Sequence, residues 1–259
     1  MIGVVGAGRM GGALMTGWVA GGMAPEDIVI VDPRPGEAAQ ELIAAGARNS
    51  REALAECGRV LLAVKPQVFP EVAGELAEHI APDALVVSIM AGTTLAQLEA
   101  ALPGRVLVRA MPNTPAAIGH GISAVFAPEG GGEAAEAMLA PGGAVLRVES
   151  ERDIDRVTAV SGSGPAYVFH MVEALAAAGE AVGLSAEQAE VLARATVTGA
   201  GRLLEGGEAA GELRRVVTSP GGTTEAGLEV LMGELEGVMG RCVRAAYARA
   251  VELGDEGVA

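Results

Sequence analysis

One change of pattern constrains this chain more than any other feature. Through the first half, short β-branched runs alternate with alanine-rich stretches of helical spacing. From Ala166 onward no convincing strand pattern is left. The candidate strands are Gly3–Val5, Ile28–Val31, Val60–Val64, Leu85–Ile89, Val106–Ala110, Ile122–Phe126 and Ala144–Val148. Most are continuous apolar runs, as expected where both faces of a sheet are covered. Between them, Ala13–Ala20, Glu37–Ala45, Pro70–His79 and Glu133–Leu139 have helical periodicity. Alternation of this kind predicts βαβ units and a largely parallel, doubly wound sheet.

The second half predicts helices only: Ala166–Val182, Ala186–Leu203 and Leu235–Leu253, with shorter ones over Glu212–Val217 and Glu225–Met232. Ser185 and Gln188 have the spacing of a reciprocal N-terminal cap. The expected division is a dinucleotide-binding α/β domain over residues 1–158 and a helical domain over residues 159–259. That helical part is too apolar to stand alone. Stretches such as Val172–Ala181 carry alanine on several faces, so a second subunit is expected to cover them.

The chemistry is concentrated in loops. Gly6-Ala7-Gly8-Arg9-Met10-Gly11 follows the first strand and opens a helix. In that setting the first glycine makes the tight turn and the second admits a pyrophosphate. The third lets helix pack on strand, and the helix N-terminus offers free N–H groups to the phosphates. Asp32 closes the second strand, where an acid accepts hydrogen bonds from an adenosine ribose and disfavours a 2′-phosphate. Arg34, two residues on, suits that phosphate instead, so NADH and NADPH both stay open.

Ala63-Val64-Lys65-Pro66-Gln67, Ala91-Gly92 and Met111-Pro112-Asn113-Thr114-Pro115 follow later strands. They therefore belong at the carboxyl edge of the sheet, where ligands bind. Lys65 is the only lysine among 18 basic residues. Ser161–Tyr167 opens the first long helix, and its serines and Pro165 suit a helix start. In Val217–Thr224 a Pro-Gly turn, a second glycine and hydroxyls precede a helix, an arrangement of consecutive N–H groups suited to a carboxylate.

Composition removes several classes. A net charge of −15 with no basic run is a poor match to nucleic acid or an anionic membrane. No apolar run is long enough to span a bilayer, and no signal-peptide pattern opens the chain, so a soluble cytoplasmic protein is expected. Cys57 and Cys242 form no disulfide framework, and His79, His120 and His170 lack metal-ligand spacing, so no metal is expected.

These motifs, in this order, resemble the pyrroline-5-carboxylate reductases along about residues 1–254. Val217–Thr224 with Ala226-Gly227-Leu228 looks like that family's C-terminal signature. The resemblance implies a Rossmann-type α/β N-terminal domain and an all-helical C-terminal dimerisation domain. It also implies reduction of (S)-1-pyrroline-5-carboxylate to L-proline by hydride from NADPH or NADH. It places Ser219, Pro220, Gly221, Gly222, Thr223 and Thr224 around the substrate. Gly222, Thr223 and Thr224 would give N–H groups to its carboxylate, and the Thr224 hydroxyl would meet the ring nitrogen. Gly6 to Gly11, Asp32, Arg34, Ser50, Ala63, Val64, Lys65, Pro66, Ala91, Gly92, Met111 and Asn113 would line the coenzyme. Ser50 stands where the family commonly has an asparagine, and Val216 where a polar residue is frequent. An acidic residue expected before Ser161 is contested between Glu151 and its neighbour Arg152. A homodimer is implied, with further assembly into decamers in some members.

Two rivals fit less well. A β-hydroxyacid dehydrogenase needs a lysine in the helical domain, and none follows Lys65. A catalytically silent nucleotide sensor would have no use for Ser219–Thr224.

Overall fold

The computed structural model describes residues 1–256. Eight strands form one sheet in the order β3-β2-β1-β4-β5-β6-β7-β8. They are β1 (Ile2–Val5), β2 (Ile28–Val31), β3 (Arg48–Asn49), β4 (Arg59–Leu62), β5 (Leu85–Ser88), β6 (Val106–Pro112), β7 (Gly121–Phe126) and β8 (Gly143–Arg147). All seven expected strands are present. The eighth, β3, is a two-residue polar strand beside β2, and nothing apolar marked it in the sequence. Every neighbouring pair is parallel except β6 and β7, which run antiparallel with Met111 opposite Ala124. The link from Pro112 to Gly121 is too short for a crossover helix, so the chain turns back on itself.

Alternate strand residues feed two cores. Ile2, Val4, Ile28, Ile30, Leu61 and Val87 face α1 (Arg9–Ala20), α2 (Glu37–Ala44) and α5 (Gly132–Leu139). Val5, Val29, Val60, Leu62 and Val86 face α3 (Phe69–His79) and α4 (Leu95–Ala101). This period of two, with both faces covered, is why the strands read as unbroken apolar runs. Trp18, the only tryptophan, is buried on α1, and its indole N–H donates to the Met138 carbonyl of α5 at 2.6 Å.

Two helices of this part escaped the sequence reading. Helix α4 has a complete capping box: the Gln97 N–H donates to the Thr94 hydroxyl, and the Thr94 N–H to the Gln97 side chain. The other, α6 (Glu151–Val157), is capped by Ser150 and Asp153 and runs on through a wider turn at Thr158–Gly162. Both are only seven residues long, too short for a helical period to stand out.

The remaining helices are α7 (Gly164–Ala181), α8 (Ala186–Leu204), α9 (Ala210–Val216) and α10 (Thr223–Glu256). Ser185 and Gln188 cap α8 as their spacing predicts. Helix α10 corrects an expectation. The two helices expected over Glu225–Met232 and Leu235–Leu253 are one continuous helix of 34 residues. The lone Gly233 between them costs only about 1 kcal/mol relative to alanine, which is not enough to break a helix.

The chain divides into two compact units. One comprises Met1–Ser163 and the end of α10 from Ala245 onward; the other is Gly164–Arg244. Inside the second unit only Ala189 and Ala193 are buried, both on α8. Phe169, Val191, Leu203, Val230 and Leu231 are all exposed in the single chain. Among the described residues no helix is long and apolar enough to cross a membrane.

Candidate active site

The glycine motif takes the geometry its spacing requires. Gly6 lies at φ +93°, and a Cβ there would sit 2.6 Å from the Val64 backbone nitrogen. A Cβ on Gly11 would collide with the Gly6 carbonyl oxygen, whereas one on Gly8 meets nothing within 4 Å. Gly8 therefore faces open space while its two companions are packed against backbone. Helix α1 begins at Arg9 with no side-chain cap and no acid in its first turn. Its leading N–H groups thus remain for an anion.

Asp32 serves this loop directly. One carboxylate oxygen accepts the Ala7 N–H at 2.7 Å and the other accepts the Arg34 N–H at 2.8 Å. The Gly36 N–H donates back to the Ala7 carbonyl at 3.1 Å. The loops after β1 and β2 are therefore tied together by the acid that was expected at a ribose. The Arg34 side chain is exposed at the same place. Ser50 directly follows β3, but its hydroxyl is engaged locally. It donates to Glu52 at 2.7 Å and accepts the Ala53 N–H. The first of these bonds holds the Glu52 carboxyl below the usual carboxylate range.

The next loops lie at the same edge. Ala63 continues β4, its N–H donating to the Val5 carbonyl at 2.7 Å. Val64 is half-buried and Lys65 exposed, and Pro66 starts a short helical turn. After β5, Ala91 is half-buried and Gly92 turns with φ +73°. A Cβ on Gly92 would lie 2.8 Å from the Cβ of Leu253, so this glycine also admits the end of α10. Met111 and Pro112 are buried at the end of β6. Asn113 fixes the following turn by accepting the Ile122 N–H with its side-chain oxygen at 2.9 Å.

Gly6 to Gly11, Asp32, Arg34, Ala63 to Pro66, Ala91, Gly92, Met111 and Asn113 thus gather at the carboxyl ends of five adjacent strands in the order β2-β1-β4-β5-β6. Ser50 lies at the same edge, beyond β2. Beside them stands a group of which the sequence singled out only Glu151. Arg109 on β6 is 2% exposed and donates to Glu151 at 2.9 Å and to Asp155 at 3.1 Å, both on α6. The same Glu151 oxygen accepts the Leu95 N–H at 2.7 Å. Of the two residues contesting the acidic position before Ser161, Glu151 is the one that pairs with Arg109. An arginine amid the apolar run Val106–Ala110 was the available signal, since a buried charge requires hydrogen-bonding or acidic partners.

The Ser219–Thr224 loop belongs to the second unit. The Gly222 N–H closes a turn on the Ser219 carbonyl at 3.0 Å. Gly221, at φ +69°, donates its N–H to Glu225 at 2.6 Å. Thr223 and Thr224 are the first two residues of α10, where backbone N–H groups have no partner within the helix. Thr223, Thr224, Ser219 and Pro220 are all exposed. Among the described residues no group of three potential ligands is placed to hold a metal ion.

Comparison with known proteins decides the family. The chain is 39% identical to the pyrroline-5-carboxylate reductase of Pseudomonas aeruginosa, covering 98% of this chain and 97% of that one. The chain belongs to the pyrroline-5-carboxylate reductase family. The corresponding enzyme of Synechocystis is 40% identical, covering 98% of both chains. The profile for pyrroline-5-carboxylate reductase dimerisation matches residues 151–253. A profile described as NADP oxidoreductase coenzyme F420-dependent matches residues 1–92. Among solved structures, a pyrroline-5-carboxylate reductase from Coxiella burnetii superposes with a TM-score of 0.89 at 36% identity, covering 97% of both chains. A Plasmodium falciparum pyrroline carboxylate reductase, solved with NADP bound, gives 0.82 at 26% identity, covering 98% of this chain and 97% of that one. The expected Rossmann-type fold with a helical dimerisation domain is thereby shown. The dimerisation profile covers the unit whose apolar side chains lie exposed in the single chain.

Proposed function

We propose that this chain reduces (S)-1-pyrroline-5-carboxylate to L-proline with NADH or NADPH, the last step of proline synthesis. The observation that carries this reading is the near full-length match to pyrroline-5-carboxylate reductases, which spans both the glycine loop and the Ser219–Thr224 loop. Bound coenzyme supplies the hydride, from nicotinamide C4 to the C=N carbon. The open space at Gly8 and the uncapped start of α1 fit a pyrophosphate. Asp32, held by two backbone N–H groups, favours a ribose without a 2′-phosphate and so supports NADH, while Arg34 offers NADPH a counter-charge.

At the substrate loop, the N–H groups of Thr223 and Thr224 at the start of α10 receive the substrate carboxylate. Gly221 and Gly222 shape the turn that presents them. The Thr224 hydroxyl orients the ring nitrogen. A cyclic imine protonated at nitrogen is already electrophilic, so the chain's task is positioning rather than strong acid–base work. The helical residues from 159 onward form the self-associating part. A homodimer, open to higher assembly such as the decamers of some relatives, and a cytoplasmic location complete the reading.

The test is turnover of purified protein, followed by loss of nicotinamide absorbance. Either coenzyme should be oxidised only when pyrroline-5-carboxylate is present; no turnover with either would refute the reading. Thr224→Ala should lower kcat/KM about 10- to 100-fold, the worth of a hydrogen bond to a charged group, with coenzyme affinity unchanged.

A further inference from the structure

The chain buries two arginines in its first unit, and they are treated differently. Arg105, ahead of β6, donates to the carbonyls of Ala77 and Ile80, both at 2.7 Å, and meets no carboxylate among the described residues. Arg109, four residues later, bridges Glu151 and Asp155; in both arginines the Nε has no partner among the described residues. Removing a guanidinium from water is costly, and its pairing with two partly exposed carboxylates rarely exceeds well-packed apolar side chains in stability. Its connections are more telling than its stability. Arg109 lies two residues before Met111 on β6. Glu151 also holds the Leu95 N–H, at the exit of the Ala91–Gly92 loop. Helix α6 leads directly into the Thr158–Gly162 turn, where a Cβ on Gly162 would touch Met111 at 3.9 Å.

We propose that Arg109, Glu151 and Asp155 form a positioning cluster that fixes the loops after β5 and β6 against the Thr158–Gly162 turn. In this way the cluster sets the geometry of the nicotinamide end of the coenzyme site. The inference rests on the coenzyme placement proposed above. None of the three residues touches coenzyme or substrate; they act through Ala91, Gly92 and Met111. A charged cluster suits this task because its hydrogen bonds accept one geometry, whereas an apolar contact in the same place tolerates sliding.

The experiment compares Arg109→Met and Arg109→Lys with Arg105→Met as the control for losing a buried arginine. Glu151→Ala is a second route into the cluster should Arg109→Met fold poorly. Thermal midpoint, amide hydrogen exchange, coenzyme affinity and steady-state kinetics are read for each. Arg109→Met and Glu151→Ala should speed exchange at Leu95 and lower kcat about 10- to 100-fold, the effect expected of displacing reacting groups by about 1 Å. The KM for pyrroline-5-carboxylate should stay within about threefold, because the substrate loop is untouched. A deuterated nicotinamide C4 should show a larger isotope effect on kcat in these variants, and Arg109→Lys should recover part of the loss. Arg105→Met should lower the melting temperature while leaving kcat and Leu95 exchange as they were.

Equal kcat losses in Arg105→Met and Arg109→Met, or unchanged Leu95 exchange in Arg109→Met and Glu151→Ala, would overturn the positioning role. An unsubstituted protein that is inactive on pyrroline-5-carboxylate overturns the reductase reading instead, and Leu95 exchange still judges the cluster.

Discussion

Replacing Gly8 and Gly11 by alanine, one at a time, should separate coenzyme binding from folding. Gly8 has φ −74° and ψ −160°, a backbone conformation open to any residue, and a Cβ there meets no atom within 4 Å. Gly8→Ala therefore adds no clash and removes conformational freedom from the unfolded chain, a gain of about 0.4–1 kcal/mol. For a chain of this size that raises the melting temperature by about 1–3 °C. The new methyl group occupies the space proposed for the pyrophosphate. Loss of one charge-assisted hydrogen bond, about 1.5–3 kcal/mol, weakens coenzyme binding roughly 10- to 100-fold.

Gly11→Ala should do the opposite to stability. Its methyl is driven into the Gly6 carbonyl, a backbone atom with no rotamer to yield. Overpacking of that kind costs about 1–3 kcal/mol, offset in part by alanine's helix preference of about 1 kcal/mol. Thermal melting without coenzyme, paired with calorimetric titration of NADH and NADPH, reads both effects. A Gly8→Ala protein that melts well below the parent, or binds both coenzymes as tightly, would show that the open space above Gly8 is not the phosphate site.

Three further outcomes follow from particular contacts. Asp32→Ser should move the ratio of kcat/KM for NADPH over NADH upward by about tenfold or more, since it removes the charge facing a 2′-phosphate; an unmoved ratio would assign coenzyme choice to Arg34. Asp153 is held below the ordinary aspartate range, first by the Ser150 hydroxyl and then by Arg156. Because the folded-state value is the lower one, its stabilisation is complete above about pH 4 and fades as pH falls through the folded value. Asp153→Asn should flatten the melting temperature's fall over that acid range, and parallel curves for the two proteins would contradict this. Phe169, 63% exposed in the single chain, lies in the self-associating unit. Phe169→Glu should lower the mass seen by analytical ultracentrifugation toward that of a single chain, and an unchanged mass would place Phe169 outside the subunit interface.

The site was legible where local geometry imposes a residue type. A tight turn that must also admit a phosphate needs glycine, so Gly6, Gly8 and Gly11 announce themselves at their spacing. The strands and long helices were equally plain, because burial on two faces or one leaves a period in the sequence. Signals that depend on a distant partner were not legible. The bond from Asp32 to the Ala7 N–H joins positions 25 residues apart. Arg109 gains its partner only because α6 brings Glu151, 42 residues on, to it. The boundary expected between Met232 and Leu235 was misplaced because one glycine weighs little against the rest of a long helix.

The sequence by itself determined the alternation of strands and helices, the switch to helices alone, and the glycine- and proline-marked loops between them. Each of those follows from neighbours within a few residues: a period of two or 3.6, a glycine, a proline or a cap. Only the tertiary structure decided which loops are tied to one another. It showed Asp32 holding the glycine loop, Gly92 giving way to the end of α10, and one buried arginine joining β6, α4 and α6. Those ties rest on hydrogen bonds and close approaches between residues far apart in the chain. No local pattern records them, because each partner is an ordinary residue until the fold brings the other to it.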